Sequence, residues 1–371
     1  MSSPVAVYVH TPFCPSKCGY CDFNSYAMSG DIVERTTQAT IREIKESPWR
    51  SRPAKTVFFG GGTPTYLSEK QLCSILEAVL EVHPPVEGCE ISSEANPGTV
   101  DMPKFQAMRA AGFNRISLGA QSFNTSDLIQ LGRIHEPGHV GRAVERARAA
   151  GFDNVNIDLM FALPGQSVRA WRNNLELAVS LGTDHLSLYC LTIEQNTRFY
   201  KLWLKGMLDL PDDAQQTAMY DEAVRVCAEA GLAQYEISNF AKPGRECEHN
   251  LCYWRSEEYA SYGPGAVGCM EAEEGRVRYT NSKHPDLYSG QIEKGENHWC
   301  DSEVLGPDEM RTEKIMMGIR LNTGLPIAGL DVSPAALDKL TKLGWIRLED
   351  DRLFLTPAGR HFCSEVTVNL I

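Results

Sequence analysis

Short apolar runs alternate with longer amphipathic stretches through the first half of the chain. Residues 5–9, 56–60, 89–94, 115–121, 155–161 and 185–193 each read as a strand, bounded by glycine, proline or polar clusters. Between them, Leu72, Ile75, Leu76, Val79 and Leu80 recur at helical spacing, as do Trp171, Leu175, Ala178 and Leu181. Strand and helix in alternation predict an α/β fold with a parallel sheet. Six βα units predict an incomplete, partial (β/α)6 barrel over residues 1–195.

The pattern changes after residue 196. A helix-like stretch over 212–230 precedes 234–241, which reads as one more strand, and an irregular segment rich in glycine and aromatics runs to about 281. We take 196–303 as an extension carrying the expected ligand region. From about residue 304 the chain reads as three helices and a hairpin, with strands over 345–348 and 352–355 and Asp350-Asp351 at the turn. This outline predicts a winged-helix-like domain over 304–371. It carries eight Lys and Arg against nine Asp and Glu, so it lacks the basic face of a DNA reader.

Composition narrows the function. The net charge of -12 argues against nucleic-acid partners, which need phosphates neutralised by Lys and Arg. Twelve cysteines without an N-terminal signal pattern suit a reducing cytoplasm. No apolar run approaches the roughly 18 residues of a membrane span, so any membrane contact is expected to be peripheral.

The candidate chemistry gathers at the carboxyl ends of the predicted strands, where ligands bind in βα barrels. The first strand leads into Cys14, Cys18 and Cys21, the second into Gly60-Gly61-Gly62-Thr63-Pro64, and the later ones carry Glu94, Gln121 and Asp158. Thiols spaced C-x3-C-x2-C on a turn-rich loop suit an iron-sulfur cluster. Three of them leave one iron open, whereas a structural zinc site is closed by four. Reduced thiols in a plain loop, or a zinc knuckle with a borrowed ligand, are the bland alternatives. Glycines without Cβ let backbone approach a ligand closely. Glu94 and Asp158 lie among apolar neighbours, where an unpaired carboxylate is costly, so a ligand or counter-ion is expected beside them.

The cysteine spacing resembles that of the radical S-adenosylmethionine (SAM) superfamily. The resemblance implies a 4Fe-4S cluster on Cys14, Cys18 and Cys21, with SAM on the open iron. Tyr8-Val-His-Thr-Pro-Phe-Cys14, Glu94-Ala-Asn-Pro, Ser117-Leu-Gly-Ala-Gln-Ser122, Leu131-Gly-Arg-Ile-His135 and Asp158-Leu-Met-Phe-Ala-Leu-Pro-Gly-Gln166 look like the oxygen-independent coproporphyrinogen III oxidase family over nearly the whole chain. Carried over by motif, the SAM contacts are Tyr8, Tyr20, Gly61, Gly62, Thr63, Glu94, Gln121, Arg133 and Asp158.

Two departures point away from the oxidases. Their fourth cysteine is replaced by Phe23, and their N-terminal extension before the first strand is missing. Both favour the heme-chaperone branch of the family, whose H-N-x-x-Y-W motif is matched by His249, Asn250, Tyr253 and Trp254. The resemblance then implies that heme is held, with His249 as a candidate iron ligand, and passed to an acceptor apoprotein. It also implies that cluster and SAM govern docking or homodimerisation more than turnover. Cys247, His249 and Cys252 form a rival zinc set lacking a fourth ligand. The rival function is oxidative decarboxylation of coproporphyrinogen III.

Overall fold

A computed structural model describes residues 3–273 and 275–371. Six parallel strands carry the α/β half: β1 Val5–Thr11, β2 Ala54–Gly61, β3 Pro85–Ala95, β4 Arg115–Gln121, β5 Asn154–Phe161 and β6 His185–Cys190. They lie side by side in chain order and match the six expected strands to within a few residues at each end. Several of the helices between them start at caps written in the sequence. Ser68 accepts from the Gln71 amide ahead of Glu69–Val82, and Asp101 and Ser167 do the same for Met102–Ala111 and Val168–Ser180.

The extension completes the sheet. Here β7 Ala233–Gln234, β8 Asn239–Ala241, β9 Tyr259–Tyr262, β10 Val267–Ala272, β11 Gly275–Asn281 and β12 Trp299–Leu305 join both edges. Among the described residues the result is one mixed sheet of twelve strands, ordered β12-β11-β10-β9-β1-β2-β3-β4-β5-β6-β8-β7. β9 runs parallel to β1, and β8 antiparallel to β6. The predicted single strand over 234–241 is broken. The Tyr235 amide donates to the Asn239 carbonyl at 3.1 Å, and the Glu236 carboxylate accepts from the Ser238 amide at 2.9 Å, closing a tight turn. The stretch expected to be irregular up to 281 holds helix Glu248–Trp254 and three strands, each of only four to seven residues and so too short to show a clear period.

Residues alternate across each strand. One set, including Val5, Val7, Val9, Val57, Phe59, Ile116, Leu118, Val155, Ile157 and Leu159, packs under the helices as the main core. The other set is mostly polar, with Tyr8 and Phe58 among it, and faces the barrel interior. Register places Thr56 beside Glu90, Glu94 beside Ser117, Ser117 beside Asn156, Asn156 beside His185, and Gly119 beside Asp158.

The C-terminal unit has its own core of Ile315, Ile319, Leu325, Leu340, Ile346, Leu353 and Val366. Among the described residues, β13 Leu325–Pro326, β14 Ile346–Glu349 and β15 Arg352–Leu355 form a sheet ordered β13-β15-β14. Two helices, not three, precede the hairpin: Pro307–Gly318 and Pro334–Lys342. Gly324 at φ 75° and Pro326 end helical geometry between them and release a strand that pairs with β15. Asp350 and Asp351, at φ 47° and 57°, make the hairpin turn.

Candidate functional site

The cysteine loop leaves β1 and is laced to its surroundings by backbone hydrogen bonds. Cys14 donates to the Tyr26 carbonyl at 3.0 Å, Tyr26 to Pro12 at 2.7 Å, and Gly19 to Leu131 at 3.0 Å. The glycine turn after β2 lies directly against it. Gly62 donates to the Thr11 carbonyl at 2.7 Å, Thr63 to the Phe13 carbonyl at 2.8 Å, and the Thr63 hydroxyl stands 3.5 Å from Cys14 Sγ. A Cβ on Gly62 would sit 2.7 Å from the Phe13 oxygen and 3.0 Å from Cys14 Sγ. Gly61 has φ 110°, and a side chain there would strike the His10 ring at 2.5 Å. The glycines therefore answer to the cysteine loop as well as to the turn.

Cys14, Cys18, Cys21, Tyr20, Gly61, Gly62, Thr63, Glu94, Gln121, Arg133 and Asp158 line one cavity of about 380 Å³. The ends of β2, β3 and β4 supply Gly61, Glu94 and Gln121, and Asp158 reaches in from within β5, three residues before its end. Gln121 takes the left-handed conformation at φ 66° where β4 ends. Among the described residues, no three His, Cys, Asp or Glu side chains make a preformed ion site; the thiols share a wall without closing on a point.

The cavity is electrostatically unbalanced. Burial, reinforced by the neighbouring Asp158 carboxylate, pushes Glu94 up to about 8, against the pull of the Gly61 amide that donates to it at 3.2 Å. Asp158 is also raised by burial, although the Ser117 hydroxyl at 2.9 Å and the Asn156 amide at 2.7 Å hold it down in part. Arg133 donates to Cys18 Sγ at 3.6 Å and to the Gly119 carbonyl at 2.6 Å, while its buried Nε finds no partner within the protein. Burial pushes the Cys14 and Cys21 thiols up, so binding them as thiolates must release protons. The site offers soft donors, two buried carboxylates and one unspent guanidinium donor. That set fits a cluster together with a ligand bearing an ammonium and a carboxylate, as SAM does.

Tyr8 and His249 lie elsewhere. Tyr8 faces the interior below the cavity, its hydroxyl 3.0 Å from His10 Nδ1 and its ring stacked on Phe58 and His249 at 6.3 Å each. His249 belongs to helix Glu248–Trp254, whose first amides are capped by the Glu90 carboxylate at 3.1 and 3.2 Å. Its ring nitrogens are taken by the Thr56 hydroxyl at 2.8 Å and the Tyr253 hydroxyl at 2.9 Å, and the residue is 1% exposed. Burial holds its pKa down at about 3, so the ring is neutral. The expectation that His249 presents a nitrogen to heme iron does not fit this geometry, because both nitrogens are spent and no solvent face remains. Cys252 gives its thiol to the Glu248 carbonyl at 3.1 Å, and Cys247 points at Glu90 at 3.6 Å.

Several interior residues escaped the sequence reading. Buried Arg115 faces Glu90 at 3.9 Å. Asn156 links Asp158 to His185, whose other nitrogen meets the Tyr235 hydroxyl at 2.8 Å. Cys190 and Tyr189, at the end of β6, also line the cavity. The signal was polar residues at every second strand position: Glu90, Ser92 and Glu94; Arg115 and Ser117; Asn156 and Asp158; His185 and Ser187.

Comparison with known proteins agrees with this architecture. A family described as the Radical SAM superfamily matches residues 8–178, and one described as the HemN C-terminal domain matches 305–362. The Heme chaperone HemW of Bacillus subtilis (strain 168) is 35% identical, covering 97% of this chain and 97% of that protein. The Heme chaperone HemW of Escherichia coli (strain K12) is 40% identical over 76% of this chain and 75% of its own. The solved coproporphyrinogen III oxidase (HemN) of Escherichia coli, a radical SAM enzyme, superposes with a TM-score of 0.84 over 99% of this chain and 90% of its own. At 22% identity it speaks for the fold alone. Among the described residues no helix is long and apolar enough to cross a membrane. With this cavity and a relative matched from end to end, the chain belongs to the HemW family of the radical SAM superfamily.

Proposed function

We propose that this protein is a heme chaperone of the cytoplasm that holds heme and transfers it to an acceptor apoprotein. In this reading a 4Fe-4S cluster sits on Cys14, Cys18 and Cys21, with SAM beside it. The observation that carries the reading is the end-to-end similarity to proteins named as heme chaperones. Phe23 adds to it. It stands 62% exposed at the cavity wall where the oxidases place a fourth cysteine. With Ile134 and Tyr189 it leaves exposed apolar surface beside the thiols, suited to a flat apolar cargo.

The cavity residues divide the work. Gly61, Gly62 and Thr63 offer close backbone, Glu94 and Asp158 attract the cationic parts of SAM, Arg133 receives its carboxylate, and Tyr20 packs by its adenine. A reduced cluster of this kind supplies an electron to SAM. Glu94 and Asp158 set the charge of the pocket, and Cys14, Cys18 and Cys21 are deprotonated on ligation. Cluster and SAM then govern docking to the acceptor or pairing of two copies, and nucleic acid has no part.

Reconstituted protein titrated with hemin should develop a stoichiometric Soret band and lose it to an added apo-hemoprotein. Formation of protoporphyrinogen IX from coproporphyrinogen III, with SAM and a reductant, would establish the oxidase reading instead.

A further inference from the structure

The motif around His249 does not reach the surface, but it does reach the cysteine loop. His249 lies on Phe58 at 5.1 Å between ring centroids with 19° between planes, and Tyr8 lies on Phe58 at 6.3 Å and 18°. Both spacings are within the range of aromatic contact. The stack has a fixed register, because Tyr8 of β1 pairs with Phe58 of β2.

Hydrogen bonds continue the path upward. His10 Nε2 is 2.8 Å from the backbone oxygen of Asn24, which can only accept, so that nitrogen carries the proton. Nδ1 is then the acceptor, and the Tyr8 hydroxyl donates to it at 3.0 Å. Asn24 closes the cysteine loop three residues after Cys21. Its side-chain amide donates to the carbonyls of Pro264 and Lys283 at 2.9 and 3.0 Å. His10 also fills the space that a Cβ on Gly61 would need. Every step from His249 to Asn24 is thus a direct contact between buried or half-buried groups. The lower end is anchored, since Thr56 and Tyr253 clamp both nitrogens of the His249 ring.

We propose that His249 is a positioning residue for the cluster loop, acting through Phe58, Tyr8 and His10 on Asn24, and that it is not an axial ligand of heme. This rests on Cys14, Cys18 and Cys21 binding the cluster. Removing the ring leaves a cavity under Phe58, lets Tyr8 sink, and breaks the Tyr8 to His10 bond that sets the height of Asn24.

The test uses the full chain, reconstituted with iron and sulfide, as wild type, His249→Ala, His249→Gln and Tyr8→Phe. Tyr8→Phe keeps the stack and deletes only the hydroxyl, so it carries the test should His249→Ala fail to fold. Iron and sulfide content, the electron paramagnetic resonance spectrum of the reduced cluster without SAM, the dissociation constant for SAM and the hemin Soret band are measured. Expected are wild-type iron and sulfide in every variant, a shifted cluster spectrum in His249→Ala and Tyr8→Phe, and SAM binding weakened about tenfold in His249→Ala. The Soret band should be unchanged, and His249→Gln, which keeps a donor and an acceptor, should restore the wild-type spectrum in part. Loss of the Soret band in His249→Ala with an unaltered cluster spectrum would overturn the proposal in favour of heme ligation. So would a Tyr8→Phe spectrum identical to wild type. Wild-type protein that takes up no cluster would instead break the underlying reading of the three cysteines.

Discussion

Arg133 reaches Cys18 Sγ at 3.6 Å across 115 residues of sequence, and a second guanidinium nitrogen holds the Gly119 carbonyl at 2.6 Å. The side chain thereby ties the cysteine loop to the end of β4, and its remaining Nε is buried without a partner. A donor left this way is costly, and an incoming carboxylate relieves the cost. Arg133→Ala removes a charge-assisted hydrogen bond of about 1.5–3 kcal/mol. The dissociation constant for SAM, read by equilibrium dialysis, should rise about tenfold or more; an unchanged constant would remove Arg133 from the ligand site.

Gly62 is the tightest junction between the glycine turn and the cysteine loop. Gly62→Ala places a methyl 2.7 Å from the Phe13 oxygen. The backbone there is held by two hydrogen bonds and has little room to give. Overpacking of this kind costs about 1–3 kcal/mol. Iron and sulfide content after reconstitution should fall while far-ultraviolet circular dichroism stays native. Full cluster loading would show that the loop yields.

Burial, and then the neighbouring Asp158 carboxylate, push Glu94 up to about 8. An unfolded glutamate loses its proton near 4.5. Between those values the folded chain holds the extra proton, so this residue makes stability fall as pH rises from about 4.5 to about 8. Without SAM, Glu94→Gln should raise the melting temperature at pH 8 more than at pH 5. A cationic ligand favours the ionised carboxylate, so SAM affinity of the wild type should climb through pH 8, and that of Glu94→Gln should stay flat. Equal slopes for the two proteins would count against Glu94 as the counter-charge.

Glu222 shows the opposite sign on the outer helices. Hydrogen bonds from Arg225, at 2.7 and 3.1 Å, and from Arg172 hold it down at about 2. Its folded value lies below the unfolded one, so its contribution is present above about 4.5 and is lost as pH falls toward 2. Glu222→Gln should lower the melting temperature at pH 7 and make little difference near pH 2. The same loss at both pH values would point to packing in place of charge.

The cavity was legible because its residues sit at strand ends and in short motifs, where local sequence dictates position. Cys14, Gly62, Glu94 and Asp158 each follow from one element and the rule that barrel ligands bind at the carboxyl rim. His249 was misplaced for the converse reason. Its motif names the residue types but not the direction they face, and that direction is set by β2 and β3, which lie some 160–190 residues earlier and supply Thr56 and Glu90. The break within 234–241 was hidden likewise, because the turn there is closed by the Ser238 amide donating to the Glu236 carboxylate and no periodicity records such a bond.

The sheet order carries a consequence for how the molecule is made. β1 precedes the other strands of the sheet in chain order, and one of its two neighbours, β9, follows about 250 residues later. The two carbonyls that seat Asn24 belong to Pro264 and Lys283. The loop bearing Cys14, Cys18 and Cys21 is therefore braced by parts of the chain some 240–260 residues further on. A chain that ends before residue 259 leaves the outer edge of β1 unpaired and the cysteine loop that follows it without its brace, so the two halves of the sequence are bound into one folding unit.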